Sequence, residues 1–417
     1  MTRRARVIGA GMAGLSAAVD LTRAGFSVAV SDGAAQAGGR CRSYHDPQLD
    51  RVIDNGNHLV LSGNEAVAHY LATIGASDRL AGPDEAEFDF ADRRTGERWA
   101  FRPNAGRLPW WIFSDARRVP GTTARDYLRL AALTRAAPGQ TVADRTVTDG
   151  VLWERLLEPV LLAALNTAPE DGDATLTAAI INQTLGRGGR AMRPRIAEPT
   201  LAAAFVDPAL DWLVRNQTSV TLKQRLRALR FEGDRVVALD FGGGEDAVAP
   251  DEMIILAVPP WIAEGLVPEL TVPDDYRAIV NAHFACVPPA GATPMVGVIG
   301  GTAEWIFAFE DRFSVTVSAA DRMIDTDRAE LAAAFWADIA AIHKLPPELP
   351  RWQIVKEKRA TFAATPAQER RRPPAATRWR NLFLAGDWTQ TGLPATIEGA
   401  LRSGATAARL AADARLV

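Results

Sequence analysis

Three glycines near the start of the sequence have the spacing of a phosphate-binding turn. Gly9, Gly11 and Gly14 follow the short apolar run Val7–Ile8 and precede a helix-prone run from residue 15 to about residue 24. In such a turn the first glycine permits the tight bend, the second lets the backbone approach a pyrophosphate, and the third lets the helix pack on the strand. The spacing therefore predicts a site for a molecule with linked phosphates.

The residues after this turn supply the remaining parts of a dinucleotide-binding unit. Met12 and Ala13 stand at the start of the predicted helix, where backbone N–H groups and the helix dipole attract phosphate. A second β-prone run, Phe26–Val30, leads to Asp32, which lies 23 positions after Gly9 and is placed to accept a ribose hydroxyl. Strand, helix, strand and acid together predict a dinucleotide site, and the motif alone leaves both NAD and FAD open.

Segments elsewhere in the chain favour a flavin nucleotide. Ala37–Ser43 and Asp54–His58 follow the acid closely and are rich in glycine and polar residues. Residues 253–261 have the pattern of a buried strand, and residues 381–408 that of a strand, the pair Gly386–Asp387 and a long helix. A dinucleotide fold that draws on both ends of the chain is typical of flavoproteins whose terminal segments meet on one cofactor.

These segments resemble the FAD-dependent amine oxidase and phytoene desaturase superfamily. Within it, the sequence resembles the hydroxysqualene dehydroxylases of bacterial hopanoid pathways from about residue 5 to about residue 410. The segments that carry this narrower resemblance include DNGNHLVLSGN, LEPVLLAALNTAPE, NAHF, VTVSAADRMID and EKRATFAATPAQ.

The resemblance implies an α/β fold, with a Rossmann-like FAD-binding domain of the GR2 flavoprotein type and an inserted mixed α+β substrate domain. We expect the FAD-binding domain to be discontinuous and to comprise residues 1–85, 195–262 and 375–417. The substrate domain would then comprise a mainly helical part, 86–194, and a part that mixes strands with one helix, 263–374.

The same resemblance implies which residues bind FAD, here without a covalent bond. Arg40 and Asp387 would reach the phosphate and ribityl groups, the backbone at Leu226 the adenine, and the N–H groups of Thr396 and Ile397 the flavin ring. The full predicted set is Gly9, Gly11, Met12, Ala13, Gly14, Asp32, Gly38, Gly39, Arg40, Gly56, Asn57, His58, Leu226, Gly386, Asp387, Thr396 and Ile397.

The implied reaction removes an allylic hydroxyl from hydroxysqualene and gives squalene. It needs an acid that helps the hydroxyl leave as water, a hydride from reduced flavin, and a dry pocket that protects the allylic cation. His58, His283 and Glu398 are the candidate acids. His58 is the first choice because its segment adjoins the predicted cofactor residues and imidazole transfers protons near neutral pH.

A C30 isoprenoid substrate would be held by membranes, and two segments bear on membrane contact. Trp110, Trp111, Ile112 and Phe113 form an apolar run that we expect to line a tunnel mouth or to enter the bilayer interface, with domain core as the alternative. The basic segment 369–380 is expected to be a solvated surface loop, with contact to anionic headgroups as the alternative.

Composition excludes several other classes of function. A net charge of −3 gives no basic face for nucleic acid, and the five His residues form no metal-binding motif with the two cysteines, Cys41 and Cys286. Two cysteines in 417 residues fit a reducing compartment. The sequence has no uninterrupted apolar run of about 18 residues, so no membrane span is predicted. We therefore expect a cytoplasmic protein of two or three domains, with peripheral contact to the inner face of the membrane left open.

Three rival functions share parts of this pattern. A carotenoid-type desaturase would run the hydride transfer in the opposite direction on a similar lipid. An amine oxidase usually has an aromatic residue where Thr396 stands, and none of the four tyrosines lies near that segment. A flavin-containing lipid carrier would bind without turnover. The single glycine-rich motif leaves the electron source open, and a reductase or the upstream synthases are candidate partners.

Overall fold

A computed structural model describes residues 3–414; Met1, Thr2 and residues 415–417, which belong to the predicted FAD-binding domain, lie outside this part. The strands in chain order are β1 Arg4–Ile8, β2 Ser27–Ser31, β3 Ser43–Asp46, β4 Arg51–Asp54, β5 Leu59–Leu61, β6 Leu80–Ala81, β7 Phe88–Asp92, β8 Arg98–Phe101, β9 Pro194–Ala197, β10 Ser219–Thr221, β11 Ala228–Glu232, β12 Arg235–Asp240, β13 Glu245–Ala247, β14 Glu252–Leu256, β15 Tyr276–Phe284, β16 Met295–Ile299, β17 Trp305–Ala308, β18 Phe313–Val317, β19 Trp352–Phe362 and β20 Leu382–Leu384.

The helices in chain order are α1 Met12–Arg23, α2 Glu65–Ile74, α3 Ala124–Leu128, α4 Glu158–Leu165, α5 Ala174–Gln183, α6 Asp207–Arg215, α7 Pro260–Leu266, α8 Arg328–His343, α9 Pro366–Glu369 and α10 Ile397–Asp413. None of these helices, all within residues 3–414, is long and apolar enough to cross a membrane.

A five-stranded parallel sheet forms the first half of the fold. Its strand order is β10-β2-β1-β14-β20, so strands from both ends of the chain meet in it. The interior strand β14 carries four consecutive residues, 253–256, that are completely buried. Such a continuous apolar run is what a parallel strand covered on both faces requires. The predicted α/β, Rossmann-like class is therefore confirmed.

Helices α1 and α10 cover one face of this sheet and pack against each other at very short range. A Cβ atom added at Gly404 of α10 would lie 2.1 Å from the backbone oxygen of Ala13 in α1. Beside this contact, the Ser16 hydroxyl donates to the backbone oxygen of Leu401 at 2.9 Å. Small residues at the crossing therefore let the backbones of the two helices touch.

A seven-stranded sheet forms the second half, in the order β19-β15-β18-β17-β16-β7-β8. Its neighbours pair antiparallel, except that β16 and β7 run parallel. Phe335 and Trp336 of α8 pack on one face. The other face carries an aromatic-rich cluster with residues from the helical segment, including Trp153 and Leu161.

The predicted domain limits do not all coincide with the ends of these strands and helices. The limit at 194/195 divides β9, and the limit at 262/263 falls inside α7. The stretch 86–194, expected to be mainly helical, opens instead with β7 and β8, which complete the seven-stranded sheet. Its alternating runs, Phe88–Asp92 and Arg98–Phe101, place aromatic side chains against that sheet's cluster, which explains why these residues form strands.

Replacing Gly404 by alanine tests the close crossing of α1 and α10. The added methyl group has no space, and overpacking of this kind destabilises by about 1–3 kcal/mol. Gly265→Ala in α7 is the matched control, because nothing lies within 4 Å of the added carbon. The control should be neutral or up to about 1 kcal/mol more stable through helix propensity. Urea unfolding followed by tryptophan fluorescence measures both, and equal stability of the two variants would contradict the packing argument.

Candidate functional site

The carboxyl ends of the parallel strands bring together the loops of the predicted site. Gly9 follows β1, Ala257 follows β14, and Ala385 follows β20; Ala385 donates its N–H to Leu256 at 3.0 Å. Gly9 has a φ of +114°, and a Cβ there would lie 2.3 Å from the backbone oxygen of Ala257. The bend after β1 therefore requires glycine on both conformational and steric grounds.

The start of α1 provides the surface that a phosphate needs. A Cβ at Gly14 would lie 1.8 Å from the backbone oxygen of Gly9, so this glycine lets the helix approach the turn. No side chain caps α1, which begins after Gly11. The first-turn N–H groups at Met12 and Ala13 are thus left for an anionic ligand, in the arrangement that dinucleotide folds use.

Asp32 lies at the end of β2 and fixes the glycine turn as well as facing the nucleotide site. Its carboxylate accepts the N–H of Ala10 at 2.6 Å and that of Ala34 at 2.7 Å. Because a carboxylate has about four acceptor positions, two remain for a ribose hydroxyl. Gln224 donates its N–H to the backbone oxygen of Asp32 at 2.8 Å, which brings the segment containing Leu226 to the same edge.

Arg40 and Asp387, predicted from opposite ends of the sequence, form an ion pair. The N–H of Gly38 donates to Ala10 at 2.8 Å, and the backbone then turns through positive φ at Gly38 and Gly39. This turn places the Arg40 guanidinium 2.6 Å from the Asp387 carboxylate. The Arg40 side chain is 44% exposed, so it keeps N–H groups for a phosphate while the pair joins the N-terminal and C-terminal motifs.

Gly56 and Asn57 join the segment after β4 to the seven-stranded sheet. The Asn57 amide donates to the Thr316 hydroxyl at 3.1 Å, and that hydroxyl donates to the Asn281 side-chain oxygen at 2.8 Å. A Cβ at Gly56 would lie 2.9 Å from the Asn281 amide nitrogen. The polar cluster of Asn57, Asn281 and Thr316 therefore lies where the predicted flavin segment meets the second sheet.

The C-terminal motif is held by α10 and by a buried arginine. The Gly386 N–H donates to the Ser403 hydroxyl at 2.8 Å, and the Thr396 hydroxyl caps α10, which begins at Ile397, through the N–H of Gly399 at 3.0 Å. Beneath this loop, the buried Arg372 donates to the backbone oxygen of Asp387 at 2.9 Å.

The basic segment 369–380 combines exposed residues with two buried anchors. Arg372 also donates to the Thr391 hydroxyl at 2.7 Å and pairs with Glu369 at 2.6 Å. Trp379 is buried as well. Composition did not reveal these anchors, because a guanidinium with several hydrogen-bond partners can be buried beneath a loop.

Two of the three predicted acids are occupied by structural hydrogen bonds. His283 is completely buried, with Nδ1 2.7 Å from the Ser314 hydroxyl and Nε2 3.1 Å from the backbone oxygen of Asp54. Burial, with Arg312 nearby, lowers the pKa of His283 to about 3. Glu398 accepts the N–H groups of Ala66 and Val67 at the start of α2, at 3.1 and 3.0 Å. These hydrogen bonds give both side chains a structural role, and their roles as proton donors stay predictions.

His58 has a different environment. Its imidazole has no hydrogen-bond partner among residues 3–414, and its side chain is only partly buried. Burial, and then the Arg40 guanidinium, lower the pKa of His58 to about 4. The ring is therefore neutral at pH 7, and it has one N–H donor and one nitrogen acceptor available.

The four apolar residues Trp110 to Phe113 form a 3₁₀ turn that divides into a buried pair and an exposed pair. Trp111 lies against Phe101 and Tyr127, with ring centroids 5.0 and 4.8 Å apart, and Ile112 is buried in the same cluster. Trp110 is 53% and Phe113 71% exposed. Bilayer contact is thus excluded for Trp111 and Ile112, because they form part of the core.

Sequence reasoning missed three residues that organise the site. Asn281 stands in the NAHF segment and Thr316 in VTVSAADRMID, where strand alternation with the buried Ala282 and Val315 could have assigned both to one face of the sheet. Arg372 gave no such signal, since its partners come from a loop that precedes α10.

Acid sensitivity follows from the buried neutral His283. When folding lowers the pKa of a histidine, the folded protein is most stable above the pKa of the unfolded state, where the ring is neutral in both states. Its stability decreases as the pH falls towards the pKa of the folded state. As the pH falls from 6.5 to 4, His283 should lower the free energy of unfolding by about 3 kcal/mol. His283→Gln should flatten the pH dependence by that amount, whereas His45→Gln at an exposed position should keep it. Urea unfolding at several pH values measures this, and an unchanged slope in His283→Gln would contradict the assignment.

Comparison with known proteins gives a consistent family. The family model described as "Flavin containing amine oxidoreductase" matches residues 12–412. The chain is 52% identical over 412 residues to the hydroxysqualene dehydroxylase of Rhodopseudomonas palustris, covering 98% of each chain. It is 47% identical over 405 residues to that of Zymomonas mobilis subsp. mobilis, covering 97% of this chain and 98% of the relative. A 15-cis-phytoene desaturase of Synechococcus elongatus is only 21% identical, over 96% of this chain and 94% of the relative.

Solved structures share the fold at low sequence identity. An oxidoreductase from Methanosarcina mazei has a TM-score of 0.71 at 14% identity, covering 97% of this chain and 99% of that one. Cyclohexylamine oxidase from Brevibacterium oxydans has a TM-score of 0.70 at 15% identity, covering 99% of each chain. The predicted family is confirmed: the chain is a flavin-dependent oxidoreductase that belongs to the flavin-containing amine oxidoreductases and, within them, to the hydroxysqualene dehydroxylase family.

Proposed function

We propose that this chain is an FAD-dependent hydroxysqualene dehydroxylase, which replaces the allylic hydroxyl of hydroxysqualene by hydrogen and releases squalene and water. The observation that carries the proposal is the identity of 47–52% over nearly the whole length to relatives with that name. The carotenoid-type alternative is supported by relatives at only 21–23% identity.

The residues at the edge of the parallel sheet fit FAD held without a covalent bond. The uncapped start of α1 suits the pyrophosphate, Asp32 the ribose, and the pair of Arg40 and Asp387 the phosphate and ribityl groups. The sequence has no cysteine after Cys286, so the C-terminal motif offers no thiol for a thioether. When bound and reduced, the flavin supplies a hydride.

Because we propose no covalent bond to FAD, acid precipitation should release FAD into the supernatant and leave the protein pellet colourless.

The reaction balances with one hydride and one proton. The allylic C–O bond breaks with its electron pair on oxygen, that oxygen takes up a proton and leaves as water, and the hydride bonds to the carbon. We assign His58 to the departing oxygen, because its ring nitrogens have no protein partner among residues 3–414, whereas His283 and Glu398 are hydrogen-bonded. A neutral imidazole can pass a solvent proton onwards, one nitrogen releasing a proton as the other takes one up.

The isoprenoid chain needs a long apolar surface next to this polar end. Burying thirty carbons is worth on the order of 20 kcal/mol, at about 0.8 kcal/mol per carbon, so the substrate partitions into membranes and not into water. We place the chain between the seven-stranded sheet and the helical segment. The buried side chains there include Phe88, Phe90, Trp99, Phe101, Trp153, Leu161, Trp305 and Phe307. Such a lining keeps water from the allylic cation.

Because the substrate partitions into membranes, we propose that the protein works as a peripheral protein at the inner face of the cytoplasmic membrane. A separate reductase is the proposed source of electrons, since the sequence has only one glycine-rich dinucleotide motif.

An anaerobic half-reaction tests the proposed function. The flavin of the purified protein is photoreduced and mixed with hydroxysqualene in detergent micelles, and the flavin spectrum and the lipid products are followed. Reoxidation of the flavin with one squalene per flavin is the expected result. Desaturation of a polyene by the oxidised protein, without reoxidation by hydroxysqualene, would instead support the carotenoid-type alternative, and binding without either reaction would support a carrier.

Substitution of His58 tests its assignment to the leaving oxygen. His58→Ala should lower the rate of flavin reoxidation by about 10²–10⁴-fold, the usual contribution of a positioned proton-transfer group. His58→Gln, which keeps a hydrogen-bond donor, should recover part of the rate. Flavin absorbance per protein controls for cofactor loss, and His69→Ala, an exposed histidine, is the matched control. A near-normal rate in flavin-loaded His58→Ala would show that another group serves the leaving oxygen.

A further inference from the structure

A short turn presents large apolar side chains to solvent. Leu108 is 81%, Trp110 53% and Phe113 71% exposed. Trp110 and Phe113 stand three residues apart in a 3₁₀ turn, whose period of three residues places both side chains on the same side. Solvent-exposed large apolar side chains clustered in this way usually mark a contact surface.

The buried residues of the same turn hold this surface in position. Trp111 packs edge-to-face on Phe101 and Tyr127, and Arg118 donates to the backbone oxygen of Ile112 at 2.9 Å. The exposed side chains are therefore carried by a turn that is anchored in the protein core.

Helix α3 contacts this turn and carries a further exposed apolar side chain. Leu128, 58% exposed, directly follows Tyr127, which packs on Trp111. Leu108, Trp110, Phe113 and Leu128 are here called the apolar patch. Four side chains are too few for a stable protein–protein interface, which needs about 800 Å² on each partner.

The segment that carries the apolar patch is rich in positive charge. Residues 102–149 contain eight arginines, four aspartates and no lysine or glutamate, although the whole chain has a net charge of −3. Arg107, Arg125 and Arg129 are exposed next to the patch in sequence, and the Arg117 guanidinium lies 4.9 Å from the centre of the Trp110 ring. Arginine binds phosphate through paired N–H groups, and tryptophan favours the headgroup region of a bilayer.

We propose that the apolar patch inserts into the headgroup region of an anionic phospholipid bilayer, while the surrounding arginines bind lipid phosphates. The inference rests on the proposed function in one respect, which is that a membrane-held substrate gives this docking its purpose. The combination of arginine with exposed aromatic and aliphatic side chains matches interfacial membrane anchors and not a surface for an uncharged partner.

Vesicle sedimentation tests the apolar patch with the flavin-loaded protein. The probes are vesicles of phosphatidylcholine and vesicles of an equal mixture of phosphatidylcholine and phosphatidylglycerol. Wild-type protein should bind the mixed vesicles at least about tenfold more tightly, and added salt should weaken this preference. The triple variant Leu108→Ser, Trp110→Ser, Phe113→Ser should lose at least about tenfold in affinity for the mixed vesicles.

A matched triple variant separates the patch from a general loss of surface hydrophobicity. Val214, Ile262 and Val287 are also exposed but lie in other parts of the chain, and their replacement by serine should leave vesicle binding unchanged. A charge variant, Arg107→Ala, Arg125→Ala, Arg129→Ala, should remove most of the preference for anionic vesicles. Flavin absorbance and the midpoint of thermal unfolding show that each variant is folded.

The outcomes separate this proposal from the proposed function. Equal vesicle binding by wild type and the patch variant, or no wild-type binding to mixed vesicles, overturns the docking site. A dimer in solution that the patch variant abolishes would assign the patch to a second copy of the chain and would also overturn it. Patch-dependent vesicle binding without reoxidation of the reduced flavin by hydroxysqualene would support docking while the proposed function fails.

Discussion

The close approach of backbones at the turn after β1 is the constraint on which the rest of the structure depends. Three backbone segments meet there, because a Cβ atom at Gly9 would clash with the backbone of Ala257 and a Cβ atom at Gly14 would clash with the backbone of Gly9. Only with this contact can α1 lie directly over the strand and point its first turn at the edge of the sheet. The position of Asp32, which accepts the N–H of Ala10 within the turn, follows from the same geometry.

A second requirement is that buried polar groups between the two sheets find partners. The Asn57 amide donates to the Thr316 hydroxyl and this hydroxyl donates to the Asn281 side-chain oxygen, where the segment after β4 meets the seven-stranded sheet, and His283 links the same sheet to the backbone of Asp54. Each unpaired group in such a place would cost about 1–3 kcal/mol, so the network fixes one relative placement of the two halves. Under the proposed function, hydride transfer from a cofactor to a substrate would demand precision of this kind.

Local patterns in the sequence predicted the parts of the site that local geometry controls. Gly9, Gly14 and Asp32 could be recognised because a turn, a helix start and a strand end each need a particular residue type within a few positions. The environments of His283 and Arg372 could not be predicted in this way, because hydrogen-bond partners distant in sequence, Ser314 and Asp387, decide them. The run from Trp110 to Phe113 was ambiguous for another reason, since hydrophobicity alone does not show which residues of a 3₁₀ turn point inwards.

The strand order also has a consequence for how the chain is made. β1 and β2 are complete by residue 31, but β20, which closes the other side of the parallel sheet, begins only at residue 382. At a synthesis rate of about 5–20 residues per second, the first strands wait on the ribosome for tens of seconds before their sheet can be completed. During that time the apolar surface of α1 lacks α10, its later covering helix. The nascent chain is therefore expected to depend on chaperones, and to acquire its flavin only after β20 and the start of α10 have been made.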